Sequence, residues 1–158
     1  MENKKHTSEA HQWMYSPSLE STSHIEIKDK YELFINNEWI APSSNKYFDT
    51  INPADEKVLS KIAWANAQDV DKAVKAARKA YDEVWSKISA IDRSKYIFRL
   101  ARMMQEKARE LAVIETLDSG KPIRESRDID IPLACNHFFY YAGWADKLDY
   151  AFPNQKTE

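Results

Sequence analysis

Cys135 is the only cysteine among the 158 residues, and a thiolate nucleophile would have to be this one. It stands in "PLACNHF", and the nearest base, His137, is two positions on. On a helix that spacing is about 200° of rotation, so the imidazole cannot face the sulfur from the same element. A small buried packing residue is the reading these neighbours support. His6, His11 and His24 lie in a polar stretch without the spacing of a helical metal pair. Glu125, Asp128 and Asp130 gather ahead of an apolar helix, where carboxylates suit the positive N-terminal end better than they suit acid–base catalysis without a partner. Gly120 and Gly143 are the only glycines and lie too far apart to cradle a phosphate. No catalytic and no cofactor-binding residue is expected in this chain.

Composition excludes several classes. A lone cysteine forms no internal disulfide and no Cys-x-x-Cys pair. The 23 basic and 25 acidic residues are interspersed, which argues against a nucleic-acid stripe. Neither a signal-like segment nor a run of about 18 apolar residues occurs, so the expectation is a cytoplasmic chain with no membrane partner.

The elements that must position these side chains come next. Residues 1–30 are mostly polar, without period until Ile25, and are expected to be a mobile tail. "YELFINNEWI" reads as a hairpin turning at Asn36-Asn37. "KYFDTINP" reads as a further extended piece, and "KVLSKIAWA" as a strand alternating Val58, Ser60, Ile62 and Trp64. Val70, Ala73, Val74, Ala77, Tyr81 and Val84 then predict an amphipathic helix capped near Asn66 and running to about Trp85. Ser89 and Asp92 open a second helix with Ile97, Leu100, Ala101 and Met104 on its apolar face. A third, "ELAVIETLD", stops at Gly120 with Pro122 beyond. The last helix is expected from Pro132, with Ile131 outside the helical region and Asp130 as cap. Its row Phe138, Phe139, Tyr140 and Tyr141 sweeps most of the circumference, so it needs cover on most sides.

"ETLDSGKP" followed by "YYAGWADKL" resembles the N-terminal part of the NAD(P)-dependent aldehyde dehydrogenases. So do "LFINNEWI" and "INPADEKVLSKIAWANAQDVDKAVKAARKAY", in one continuous order from about Tyr31 to Pro153. The resemblance implies an α/β fold: the N-terminal part of a Rossmann-like cofactor domain, here mostly helical with a few short strands. Residues 31–150 would be that segment, and 151–158 would end ahead of the family's oligomerisation strands, its Pro-Trp-Asn segment and its Gly-rich cofactor loop. Phe139 departs from the polar residue, often arginine, that family members carry there. The family's chemistry implies a cysteine thiolate that attacks a small-molecule aldehyde, hydride transfer to NAD or NADP, and hydrolysis of the thioester by a glutamate-activated water. It also implies a structural potassium or sodium ion held by oxygens at the positions of Thr50, Ile51 and Asp118. Asp118 could equally cap its helix or bond Lys121 locally.

Three functions are compatible with these features. One is the N-terminal piece of an aldehyde dehydrogenase, inactive alone, from a family expected to form homo-oligomers; alone it would self-associate or pair with a complementing fragment. Another is a non-enzymatic helical interaction module derived from that family. A membrane-surface binder is disfavoured by the balanced charge. A Pro-Trp-Asn segment encoded downstream would separate the first from the second.

Overall fold

The computed structural model describes residues 22–23 and 25–153; His6, His11 and His24 therefore lie outside the described residues. Five short strands precede the helices: β1 (Lys30–Tyr31), β2 (Leu33–Ile35), β3 (Glu38–Ile40), β4 (Tyr47–Ile51) and β5 (Val58–Ala63). β2 and β3 form the expected hairpin, pairing Leu33 with Ile40 and Ile35 with Glu38. Asn36 and Asn37 both take positive φ, 55° and 65°, as a tight two-residue turn requires and as asparagine tolerates. The other strands form a separate sheet in the order β1-β5-β4, with β5 parallel to β1 and antiparallel to β4.

The sheet reaches further toward the N-terminus than the boundary at residue 30. The Lys61 amide donates to the Asp29 carbonyl at 2.9 Å, and the Ser60 hydroxyl donates to the Lys28 carbonyl at 2.7 Å. In β5 the expected alternation is only partly kept. Ser60 is buried and Ile62 half-buried, but Val58 and Trp64 are exposed and Ala63 on the other face is buried.

The helices follow the caps. In α1 (Ala67–Glu83) the Asn66 side chain accepts from the Gln68 and Asp69 amides, and Asp69 accepts from the Asn66 amide at 3.1 Å, a reciprocal capping box. The Asp69 carboxylate also accepts from the Ser43 amide, 3.1 Å from each oxygen, and from the Ser43 hydroxyl, tying the loop before β4 to the start of α1. Ser89 caps α2 (Ala90–Glu106), its hydroxyl accepting from the Asp92 amide at 3.1 Å. α3 (Ala108–Ser119) ends on Gly120 in the left-handed region.

The last helix begins differently from expectation. α4 (Ile123–Glu125) runs through a π-helical turn, Ser126–Asp130, directly into α5 (Ile131–Trp144). Ile131 is helical (φ −66°, ψ −45°), and Asp130 is helical too and makes no capping bond. Pro132 lacks an N–H and its ring crowds the carbonyl four residues back. The wider turn, in which the Ile131 amide bonds the Ser126 carbonyl, accommodates that ring without ending the helix. Asp130, released from capping, binds Lys121 instead.

α5 packs on α2 along one face. Ala101 and Ala142 are fully buried, the Ser94 hydroxyl donates to the Ala142 carbonyl at 2.6 Å, and Phe98 meets Phe139 edge-on at 4.8 Å between ring centres. An edge-to-face pair of this kind contributes about 1 kcal/mol beyond its buried area. Cys135 is buried, as expected of a packing residue, while His137 is exposed. A short α6 (Leu148–Ala151) follows.

Candidate functional site

Of the expected site residues, Thr50 and Asp118 are 68 positions apart in sequence, and the fold brings their side chains into contact. The Thr50 hydroxyl donates to Asp118 Oδ1. Thr50 sits near the end of β4 and Asp118 in the last turn of α3. What joins the two elements is Gly120. Its φ of +74° lets the chain reverse, and a Cβ built on it would lie 3.0 Å from Pro53 Cβ, so the helix end and the turn after β4 approach closely enough that any side chain here would push Pro53 back by a few tenths of an ångström.

Thr50 and Ile51 also mark an irregularity in the sheet. Thr50 pairs with Ser60, but Ile51 pairs with Val58, skipping Leu59. A bulge of this kind interrupts the ladder and re-aims the groups beside it, which is where a main-chain oxygen can turn out of the sheet. The two donors that meet here, the Thr50 hydroxyl and the Asp118 carboxylate, are hard oxygens, as is the main-chain carbonyl of Ile51 next in the chain, and such a set suits an alkali or alkaline-earth cation rather than a soft metal. The last turn of α3 carries no basic residue, so the negative end of that helix is not offset from within it and would favour a cation.

The contact opens onto a cavity of about 460 Å³ whose apolar walls include Ile27, Phe48, Leu59 and Ile114. Glu115 and Asp118 both line it, three residues apart on one face of α3. The alternative of a local bond from Asp118 to Lys121 is not the one the fold adopts. The Lys121 ammonium bridges Glu115 Oε1 at 2.7 Å and Asp130 Oδ2 at 2.9 Å. These carboxylates, Glu115 foremost, hold the Lys121 pKa well above its ordinary value of 10.5. Sequence spacing does not identify this triad, because Asp130 reaches Lys121 only through the π turn. Nor does it reveal that Gly120 is needed for close approach as well as for helix termination.

Among the described residues no group of three histidine, cysteine or acidic side chains is placed to bind a metal. Cys135 and His137 are not brought together into a catalytic pair: one is buried and the other faces out. Among the described residues, no helix is long and apolar enough to cross a membrane.

Comparison with known proteins decides the family. Residues 39–158 match the profile of the aldehyde dehydrogenase family. The chain belongs to that family. It is 45% identical over 129 residues to a long-chain-aldehyde dehydrogenase of Acinetobacter sp, covering 82% of this chain and 25% of the relative. The mitochondrial aldehyde dehydrogenase of Rattus norvegicus is 43% identical over 118 residues, 73% of this chain and 23% of that one. Among solved structures, the NAD+ complex of an aldehyde dehydrogenase from Bacillus cereus superposes with a TM-score of 0.72 at 39% identity, covering 75% of this chain and 24% of that one. The fold is thus that of the N-terminal part of an aldehyde dehydrogenase cofactor domain, mostly helical with a few short strands. This family chain spans about a quarter of the length of the relatives it matches.

Proposed function

We propose that this aldehyde dehydrogenase chain is the non-catalytic N-terminal part of a cofactor domain, in a protein that oxidises an aldehyde to a carboxylic acid with NAD or NADP. The nicotinamide, when bound, takes the hydride from the substrate carbon. The residues described here do not touch that step; they build the outer layer and the long inner helix on which the cofactor domain is laid. Thr50, Ile51 and Asp118 would hold a structural potassium or sodium ion, which would add a charge-neutralising contact where the end of α3 already meets the end of β4. The chain by itself is inactive. It works in the cytoplasm, binds neither nucleic acid nor membrane, and belongs to a homo-oligomer in its complete form.

The observation that carries this reading is the state of α5. One face is packed on α2, while Tyr140 (59%), Tyr141 (63%) and Leu148 beyond it (52%) are exposed. Tyr140 meets both Tyr141 and Trp144 ring to ring, and a contiguous exposed aromatic surface of this kind marks a face made for burial. The aldehyde dehydrogenase relatives extend well beyond the matched region, which supports a cover supplied by further polypeptide, in the same chain or as a complementing fragment.

The test uses the 158-residue chain. Light scattering should show self-association, a hydrophobic dye should bind, and calorimetry should detect no heat from NAD. A compact monomer with a cooperative melt and no dye binding would favour a stand-alone interaction module. Micromolar NAD binding would overturn the placement of the cofactor site outside this chain.

A further inference from the structure

We propose that Lys121 makes the Thr50–Asp118 site selective for a monovalent over a divalent cation by holding Glu115 out of the set of ligands. The inference rests on the cation reading above and concerns only residues of this chain.

Two carboxylates line the cavity from one helix face, Glu115 and Asp118. If both faced the ion beside the Thr50 hydroxyl, the site would present two formal negative charges on hard oxygens, a set that suits a divalent ion. Only one of them meets Thr50. Glu115 Oε1 is engaged 2.7 Å from the Lys121 ammonium, which reaches back alongside α3 because Gly120 reverses the chain between them. Asp130, the second acid on that ammonium at 2.9 Å, comes from the π turn and is not part of the cavity wall. It binds the same ammonium as Glu115 does, so Lys121 is anchored by two acids rather than swinging into solvent. The oxygens left facing the site then carry a single carboxylate charge, Asp118, matched to an alkali cation. Lys121 is a positioning residue here: it touches no ion, and it acts by setting what Glu115 can do.

The test compares the chain with Lys121→Gln, which removes the charge, and Lys121→Arg, which keeps it. Potassium is assayed as the rise in thermal midpoint over choline at equal ionic strength, and divalent binding as loss of the free Mn2+ electron-spin-resonance signal. The unsubstituted chain and Lys121→Arg should respond to potassium and leave Mn2+ free. Lys121→Gln should bind Mn2+ at least about tenfold more tightly than the unsubstituted chain, the order expected when a second carboxylate joins one oxygen site. Adding Asp118→Ala to Lys121→Gln should abolish that gain. Glu115→Gln, which does not depend on the fold tolerating a changed Lys121, should leave the potassium response within about twofold. Unchanged Mn2+ binding in a folded Lys121→Gln chain, or loss of the potassium response in Glu115→Gln, overturns the role of Lys121 while leaving the cation site standing. An unsubstituted chain that does not distinguish potassium from choline overturns the site and the inference together.

Discussion

Replacing Gly120 with alanine should be among the most damaging single-atom additions in this chain. Gly120 sits at φ +74°, and the added Cβ would stand 3.0 Å from Pro53 Cβ and 3.1 Å from Pro53 Cγ. The left-handed conformation costs an ordinary L-residue about 1–2 kcal/mol. Carbon atoms prefer roughly 3.5–4.0 Å, so the turn after β4 must shift as well, which adds about 1 kcal/mol, the low end for overpacking because this turn is exposed. The net expectation is a loss of about 2–3 kcal/mol, read as a lower urea midpoint with unchanged slope in far-ultraviolet circular dichroism. Gly120→Asn divides the cost, because asparagine tolerates the left-handed region but still carries the Cβ. It should fall between the unsubstituted chain and the alanine variant. Gly143→Ala is the control: Gly143 is helical, a Cβ there meets nothing within 4 Å, and alanine should be neutral or up to about 1 kcal/mol stabilising. A Gly120→Ala stability within about 0.5 kcal/mol of the parent would refute the argument that the close approach to Pro53 joins the two halves of the site.

Two further outcomes follow from the local geometry. Glu56 has a φ of 57°, so Glu56→Gly should stabilise the fold by about 0.5–1 kcal/mol, the left-handed strain relieved less the added chain entropy, read as a higher urea midpoint; a lower midpoint would show that the Glu56 side chain matters more than its backbone. The Asp69 pKa is lowered from 3.8, first by the Ser43 hydroxyl and then by the Asn66 amide. A depressed folded pKa means that the ionised form stabilises the fold above the unfolded value, and that this contribution is lost as pH falls through the lower folded value. The deficit of Asp69→Asn should therefore be full at neutral pH and shrink below 3.8; a deficit independent of pH in melts from pH 7 to 2.5 would refute the charge-based account.

Much of the local structure was legible in residue types alone. The Asn36-Asn37 turn, the Asn66 and Ser89 caps and the stop at Gly120 depend on side chains that satisfy or free the backbone within a few positions, so they are written in short stretches. The order of motifs from "LFINNEWI" to "YYAGWADKL" was likewise enough to reach the family. The entry into the last helix was not legible. A proline at position 132 usually marks a boundary, whereas here a π turn takes up the ring and is tied down by distant groups, Thr116 bonding Ser126 and Lys121 bonding Asp130.

The candidate site divides the same way. Sequence alone determined which residues are oxygen-bearing and which positions resemble a family site: Thr50, Ile51 and Asp118. The tertiary structure decided that Thr50 and Asp118 meet, that Lys121 turns to Glu115 and Asp130 rather than to Asp118, and that Asp69 is buried beneath Ser43. The physical reason is range. Caps and turns are settled by neighbours along the chain, whereas an ion pair or a ligand set is settled by whichever charges the packing of distant elements brings within about 4 Å.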